Sequence, residues 1–216
     1  MRDNSLTWSA WVPFQSQHDA FSTLPTNPGV YRVRPVGHKQ LIYIGQTGRS
    51  LRERVRTLCL RTLDAKMPYN DPHTAAPNLW AWRDAEGWDY EASVAEVADA
   101  DRQGLECLLL WQYRLEAGES TLANHGRFHP HYSKSGSRAS GRRGGRLPPG
   151  KVNSAGGPSL PPLSKRGQPM GGDWMGLTWS GWAPLAANGC SAAPLSPGVY
   201  RIAQNDDVVY VGESGR

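Results

Sequence analysis

The sequence predicts an α/β protein made of one small domain, a three-stranded antiparallel sheet flanked by helices, followed by a disordered basic linker and a partial repeat. Three observations carry that reading. Two short runs, "GVYRVR" and "KQLIYIGQT", alternate apolar and polar residues at the period of half-buried strands and are joined by "PVGH". Windows of helical spacing with recognisable ends follow them. Pieces of the first fifty residues then return in the same order near the far end: "LTWSAW" at 6–11 as "LTWSGW" at 177–182, "PGVYR" at 28–32 as "PGVYR" at 197–201, and "YIGQTGR" at 43–49 as "YVGESGR" at 210–216.

Each element has its own justification. The alternating runs make a hairpin over 29–47. Ser50 is placed to cap a helix running to about Asp64. "TAAPNLWAWRDAEG" reads as a shorter helix closed by Gly87, "WDYEASVAEVA" as the third strand, and Asp101 opens a helix through about Ala117. The first domain therefore spans 1–132. From 133 to 175 Gly, Ser, Pro, Lys and Arg displace almost every large apolar residue, which predicts a flexible linker. Residues 176–216 hold a leading segment and one hairpin of the second copy, with no helices to cover it, so this fragment is not expected to fold alone. Because the repeat breaks inside a motif at Arg216, the expectation is a truncated or incomplete gene product.

Charge supports the division. The pI near 9.3 and net charge of +5 suggest a basic nucleic-acid-binding body, but the excess is local. Residues 1–132 carry fourteen Lys plus Arg against fifteen Asp plus Glu, 133–173 carry eight against one, and 174–216 carry two against three. The linker arginines, Arg142, Arg143 and Arg146 among them, are either a solubilising tether or a sequence-independent contact to phosphates. Cys59, Cys107 and Cys190 are odd in number and lack a C-x-x-C pair, which argues against a disulfide scaffold or zinc site and for a reducing cytoplasm. No basic region followed by an apolar one opens the chain, and no apolar run approaches a membrane span; no membrane partner is expected.

Several residues invite chemistry. Glu106 falls on the helical stripe of Leu109, Leu110 and Tyr113, where a carboxylate is costly unless paired or bound to a metal; Arg102, four residues earlier, is the alternative partner. Arg54 lies in a cationic helix with Arg49, Arg52, Arg56 and Arg61, either on a solvated face or offering a bidentate fork to phosphate. Tyr31 and Tyr43 are mid-strand and read as core or as site residues. His73 sits in the polar loop "MPYNDPHTAAPNLW", Asn124 in the turn "TLANHGR", and Trp8, Trp11, Trp80, Trp82 and Trp111 read as core aromatics.

Taken together, "GVY" on one strand, "YIG" on the next, an arginine one helical turn beyond, a glutamate in a later apolar helix and an asparagine after it resemble the GIY-YIG nuclease family over roughly residues 27–126. The resemblance implies a divalent-metal-dependent endonuclease acting on DNA. Tyr31 and Tyr43 match tyrosines that line the family's active site and help deprotonate water. Arg54 matches the arginine on the scissile phosphate, with Arg52 as the alternative because the turn "GQTGRS" is one residue longer than usual. Glu106 matches the single glutamate that holds Mg²⁺ or Mn²⁺, and Asn124 the asparagine that ends the motif. The family's side chain one turn after the arginine is replaced here by Leu58; His73, or secondarily Tyr69, would supply its role from the loop. Gly45, in the glycine-containing turn region, would leave room for the nucleic-acid backbone, with Arg49, Arg52 and Asn124 beside it. The competing expectation is a nucleic-acid-binding module of the same fold that cuts weakly or not at all. No sequence-reading element is present in the chain, so a separate DNA-specificity or repair partner is expected.

Overall fold

The leader "LTWSAW" adds a strand that its own pattern hides. In the computed structural model, which describes residues 6–15, 18–71, 73, 75–156, 160–186 and 193–215, Ser9 bonds the backbone of Val94 through both its amide (2.8 Å) and its hydroxyl (3.1 Å). β1 (Val12–Pro13) continues this pairing on β4 (Tyr90–Glu96), with Val12 opposite Ala92. β4 pairs with β2 (Gly29–Pro35), and β2 with β3 (Tyr43–Thr47), so the sheet has four antiparallel strands in the order β1-β4-β2-β3. The expected three strands are all present; the fourth is two residues long, too short to display a period of two.

Trp8 and Trp11 are half-buried cation platforms, a correction to the core reading. The Arg32 guanidinium lies 4.1 Å from the Trp8 ring centre and 4.8 Å from that of Trp11, and Arg34 stacks on Trp11 at 4.0 Å while pairing with Glu91 at 2.7 Å. Trp80, Trp82 and Trp111 are likewise only partly buried.

Helices cover both faces of the sheet. α1 (Leu51–Thr62) starts where expected, the Ser50 hydroxyl accepting from the Glu53 amide, and buries Leu51, Val55, Leu58 and Cys59 against Tyr31, Val33, Tyr90 and Val94. α2 (Ala76–Glu86) packs beside α1 and ends at Gly87, whose left-handed backbone closes the last turn. On the opposite face α3 (Arg102–Ala117) rests Leu105 and Leu109 on Val30 and Ala95. Much of α3 stays in solvent: Leu108 and Leu115 are about half exposed, and Glu106 is half-buried rather than enclosed in an apolar stripe.

The segment read as a flexible linker differs most from expectation. The chain divides into two compact units, residues 1–161 and 162–216, and residues 133–156 belong to the first. β5 (Tyr132–Ser133) pairs with β6 (Gly145–Arg146), and Tyr132 is fully buried with its hydroxyl on Asp84. The Asn70 amide bonds the Gly136 carbonyl, the Arg138 amide bonds Asp71, and the Phe128 amide bonds the Ala155 carbonyl. Composition measures only the apolar area a segment can bury. Here ordering is offset by backbone hydrogen bonds and by arginines lying on aromatic rings: Arg143 on Tyr69 at 4.2 Å and Arg146 on Tyr132 at 5.2 Å.

In the second unit, β7 (Gly198–Gln204) and β8 (Asp207–Ser214) form a hairpin that repeats local details of the first. Arg201 stacks on Trp179 and Trp182, and the Tyr200 and Tyr210 ring centres are 5.9 Å apart, as are those of Tyr31 and Tyr43. Val199, Tyr200, Val209, Tyr210 and Val211 are about half exposed, and among the described residues no α-helix lies in this unit. Cys190 and Arg216 lie outside the described residues. Among those residues no helix is long and apolar enough to cross a membrane.

Candidate functional site

The register of β2 on β3 sets Tyr31 opposite Gly45, and this pairing organises the site. A Cβ at Gly45 would lie 2.7 Å from the Tyr31 ring and hydroxyl and 2.7 Å from the Tyr43 ring. Only a glycine lets both rings cross the strand there. Gly45 is buried, so the space it leaves is filled by Tyr31 and not left open for an incoming backbone.

Tyr31 is sealed at 1% exposure, and Arg54 of α1 donates its Nε proton to the Tyr31 hydroxyl at 3.2 Å. Tyr43 also donates to that oxygen. Burial pushes both phenols up from their ordinary values; at Tyr31, Arg54 and the Tyr43 hydrogen bond work against the rise, whereas at Tyr43 the neighbouring Tyr31 adds to it. Tyr31 is thus linked to the cleft through Arg54, while Tyr43, 9% exposed, lines a cavity of about 250 Å³ with Asn70, His125 and Lys134.

Arg54 stands in the wall of a broader open cleft of about 830 Å³. The cleft is also lined by Gln46, Gly48 and Arg49 of the β3–α1 turn, by His73, and by Asp99, Arg102 and Gln103 at the start of α3. Gly48 is exposed but tightly placed: a Cβ would come 2.8 Å from the Asp99 carboxylate and 2.9 Å from Arg102 Nε. That ion pair (2.6 Å), with an Arg102 to Gln46 hydrogen bond (2.8 Å), ties α3 to the turn. Arg102 thus engages Asp99 rather than serving Glu106 as an ion-pair partner. Gln46, Asp99 and Gln103 carried no motif signal; sequence spacing does not show that the turn and the α3 start meet.

His73 is where the loop brings it, only 3% exposed, lining the cleft with Arg54. Its Nδ1 is buried with no hydrogen-bond partner among the described residues. Burial, then the Arg54 and Arg61 charges, lowers its pKa to about 4, so the ring is neutral at physiological pH. Leu58, at 0% exposure, faces the core, which is why that helical position cannot supply a polar group to the cleft. Tyr69 instead carries Arg143.

Glu106 interacts electrostatically with Arg54, Tyr31 and Tyr43, although its side chain is not one of those lining the cleft. Burial raises its pKa, opposed by Arg54 and Arg102, and among the described residues it makes no ion pair within 4 Å. A half-buried carboxylate with no partner, next to a cation suited to phosphate, suits a hydrated Mg²⁺ that takes one protein carboxylate and completes its shell with water and substrate oxygens.

The remaining expected site residues separate. Arg49 lines the cleft. Arg52 does not: its Nε is bound to the Leu24 carbonyl at 2.8 Å, bracing the segment before β2. Asn124 is buried, its Oδ1 accepting from the Ile44 amide at 3.0 Å and its Nδ2 donating to the Ile44 carbonyl at 2.8 Å, so it fastens β3 between Tyr43 and Gly45. Arg142 is exposed, Arg143 lies on Tyr69, and Arg146 lies on Tyr132 near Asp84. Comparisons with protein-family models, with curated proteins and with solved structures give no match for this chain.

Proposed function

We propose that the first unit is a metal-dependent phosphodiester hydrolase acting on DNA, of the GIY-YIG kind. The observation that carries this is a cation fixed by a buried phenol and a neutral imidazole lining one open cleft, with the half-buried, unpaired Glu106 carboxylate in electrostatic reach of that same cation. Arg54 spends its Nε on Tyr31, leaving its terminal nitrogens to fork onto the non-bridging oxygens of a phosphate. Glu106 would hold Mg²⁺ or Mn²⁺, whose chemistry is to neutralise phosphate charge and stabilise the leaving 3′-oxygen. His73, un-ionised at neutral pH, takes the proton from the attacking water. Tyr31 and Tyr43 keep their protons and position Arg54; Tyr43, the more accessible phenol, is the one able to orient water. Asn124 and Gly45 act on the reaction through Tyr43 and Tyr31, as positioning residues.

Supercoiled plasmid nicked with Mg²⁺ or Mn²⁺, and left intact with EDTA, is the expected result. The sealed Tyr31 hydroxyl favours the second reading, a module that binds nucleic acid without cutting. Plasmid bound but uncut with either cation would establish it.

A further inference from the structure

The ordered segment after β5 and the C-terminal turn of α1 share a cavity of about 200 Å³ lined by Arg61, Arg138, Arg143, Tyr69, Asp64 and Asp71. Three guanidinium groups arrive there from two parts of the chain distant in sequence, and the geometry holds them in place. Arg143 is stacked on Tyr69 at 4.2 Å and hydrogen-bonded to the Met67 carbonyl. Arg138 is presented by a short 3₁₀ turn over Arg138–Ser140, its backbone amide fixed by Asp71 at 2.6 Å. Both carboxylates are already engaged, Asp64 with Arg61 at 3.6 Å and Asp71 with that amide. The Arg138 side chain has no protein partner among the described residues. Because Arg143 occupies one face of Tyr69, the cavity offers charge and N–H donors more than a stacking surface, which suits a phosphate oxygen and not a base.

Its position relates it to the cleft. Arg54 and Arg61 are seven residues apart on α1, on the same face, a separation of about 10.5 Å along the axis. His73, which lines the cleft with Arg54, also feels the Arg61 charge. With about 3.4 Å of axial rise per nucleotide and the winding of the backbone about the axis, phosphates of one strand two steps apart are about 12 Å apart, so that separation is about two steps.

We infer that Arg61, Arg138 and Arg143 form a second phosphodiester site, which holds the strand about two nucleotides from the phosphate at Arg54. This rests on the DNA-cleavage reading for the identity of the first phosphate. The segment 133–146 is then a preorganised arm of the interface, where the same arginines on a flexible tether would have to be ordered on binding.

The test is fluorescence anisotropy of the full chain with a labelled DNA duplex in EDTA across a salt series, with plasmid nicking run in parallel. Arg138→Ala/Arg143→Ala should weaken binding about tenfold and reduce the log–log salt slope by about 2, one unit per lost contact. Arg138→Glu alone, at an exposed position that cannot unfold the unit, should weaken it at least as much as Arg138→Ala. Single neutral methylphosphonates, scanned along one strand, should cost wild-type affinity about two steps from the cut and cost the double variant nothing there. Nicking by the wild type with unchanged affinity and slope in both variants would overturn the second site and leave the cleavage reading standing. DNA binding that depends on Arg138 without nicking would support the second site and sink the cleavage reading. No DNA binding by the wild type at low salt overturns both. Inorganic phosphate at constant ionic strength that displaces DNA from wild type but not from the double variant would show a free-anion site and overturn the strand assignment.

Discussion

Asn124→Ala tests whether the end of the motif works through the backbone of β3. β3 is an edge strand, and Ile44 points its amide and carbonyl outward, where the Asn124 side chain meets both at 3.0 and 2.8 Å and imitates the peptide of a neighbouring strand. The Ala123 amide extends the same pairing to the Ile42 carbonyl at 2.9 Å, and Thr121 donates to Asn124 Oδ1 at 2.6 Å. Truncation leaves two backbone groups without their partner. Each unsatisfied buried group costs about 1–3 kcal/mol, and because β3 is at the sheet edge, water entry pulls the sum toward about 2–4 kcal/mol. For a unit of this size that corresponds to a fall in Tm of roughly 5–15 °C. Differential scanning calorimetry of the full chain measures it, with the transition of residues 1–161 read separately from any signal of 162–216. Asn124→Asp keeps the acceptor and loses the donor, and should fall between the two. A Tm within about 1 °C of wild type, together with lost DNA affinity, would refute the clamp and return Asn124 to the DNA interface.

Glu106→Gln should abolish nicking yet stabilise the metal-free chain: the carboxyl pKa is raised in the fold, so the stability tied to its protonation is lost as pH rises through that value. Melting at pH 5 and pH 8 should show the variant gaining over wild type only at the higher pH, and Mg²⁺ raising the Tm of wild type alone; a variant less stable than wild type at pH 8 contradicts the burial cost. Arg54→Ala should cut the nicking rate about 100-fold or more with the fold intact, whereas Arg52→Ala, which releases the Leu24 carbonyl, should lower the Tm by a few degrees and leave the rate within about threefold. Reversal of those two phenotypes would move the phosphate contact to Arg52. His73, held to about 4 in the fold against an ordinary 6.5, binds its proton less readily there than in the unfolded chain, so stability falls as pH drops from 6.5 toward 4. His73→Gln should flatten that dependence and slow nicking about 10- to 100-fold at neutral pH; a wild-type rate in the variant would pass the proton-accepting role to Tyr43.

The sequence by itself determined the elements whose causes are local. Ser50, Gly87, the alternation of 29–47 and the helical windows act within a turn or two of chain, and the structure places a cap, a left-handed closure, a hairpin and three helices there. The repeat was legible for the same reason, since identical local patterns give the same Trp–Arg stacks and tyrosine pairs in both units. Tertiary structure decided everything that depends on which distant groups meet. It separated Arg54 from Arg52, which spacing alone left open, because only the packing of α1 on β2 shows which one reaches Tyr31. It carried His73 into the cleft while Leu58 turned to the core, gave Arg102 to Asp99, and gave Asn124 to the backbone of Ile44. It also ordered residues 133–156, whose composition predicts disorder. Apolar content measures the burial a segment can bring, but the hydrogen bonds and aromatic faces offered to that segment by Asn70, Asp71, Tyr69 and Tyr132 exist only once the rest of the unit has folded.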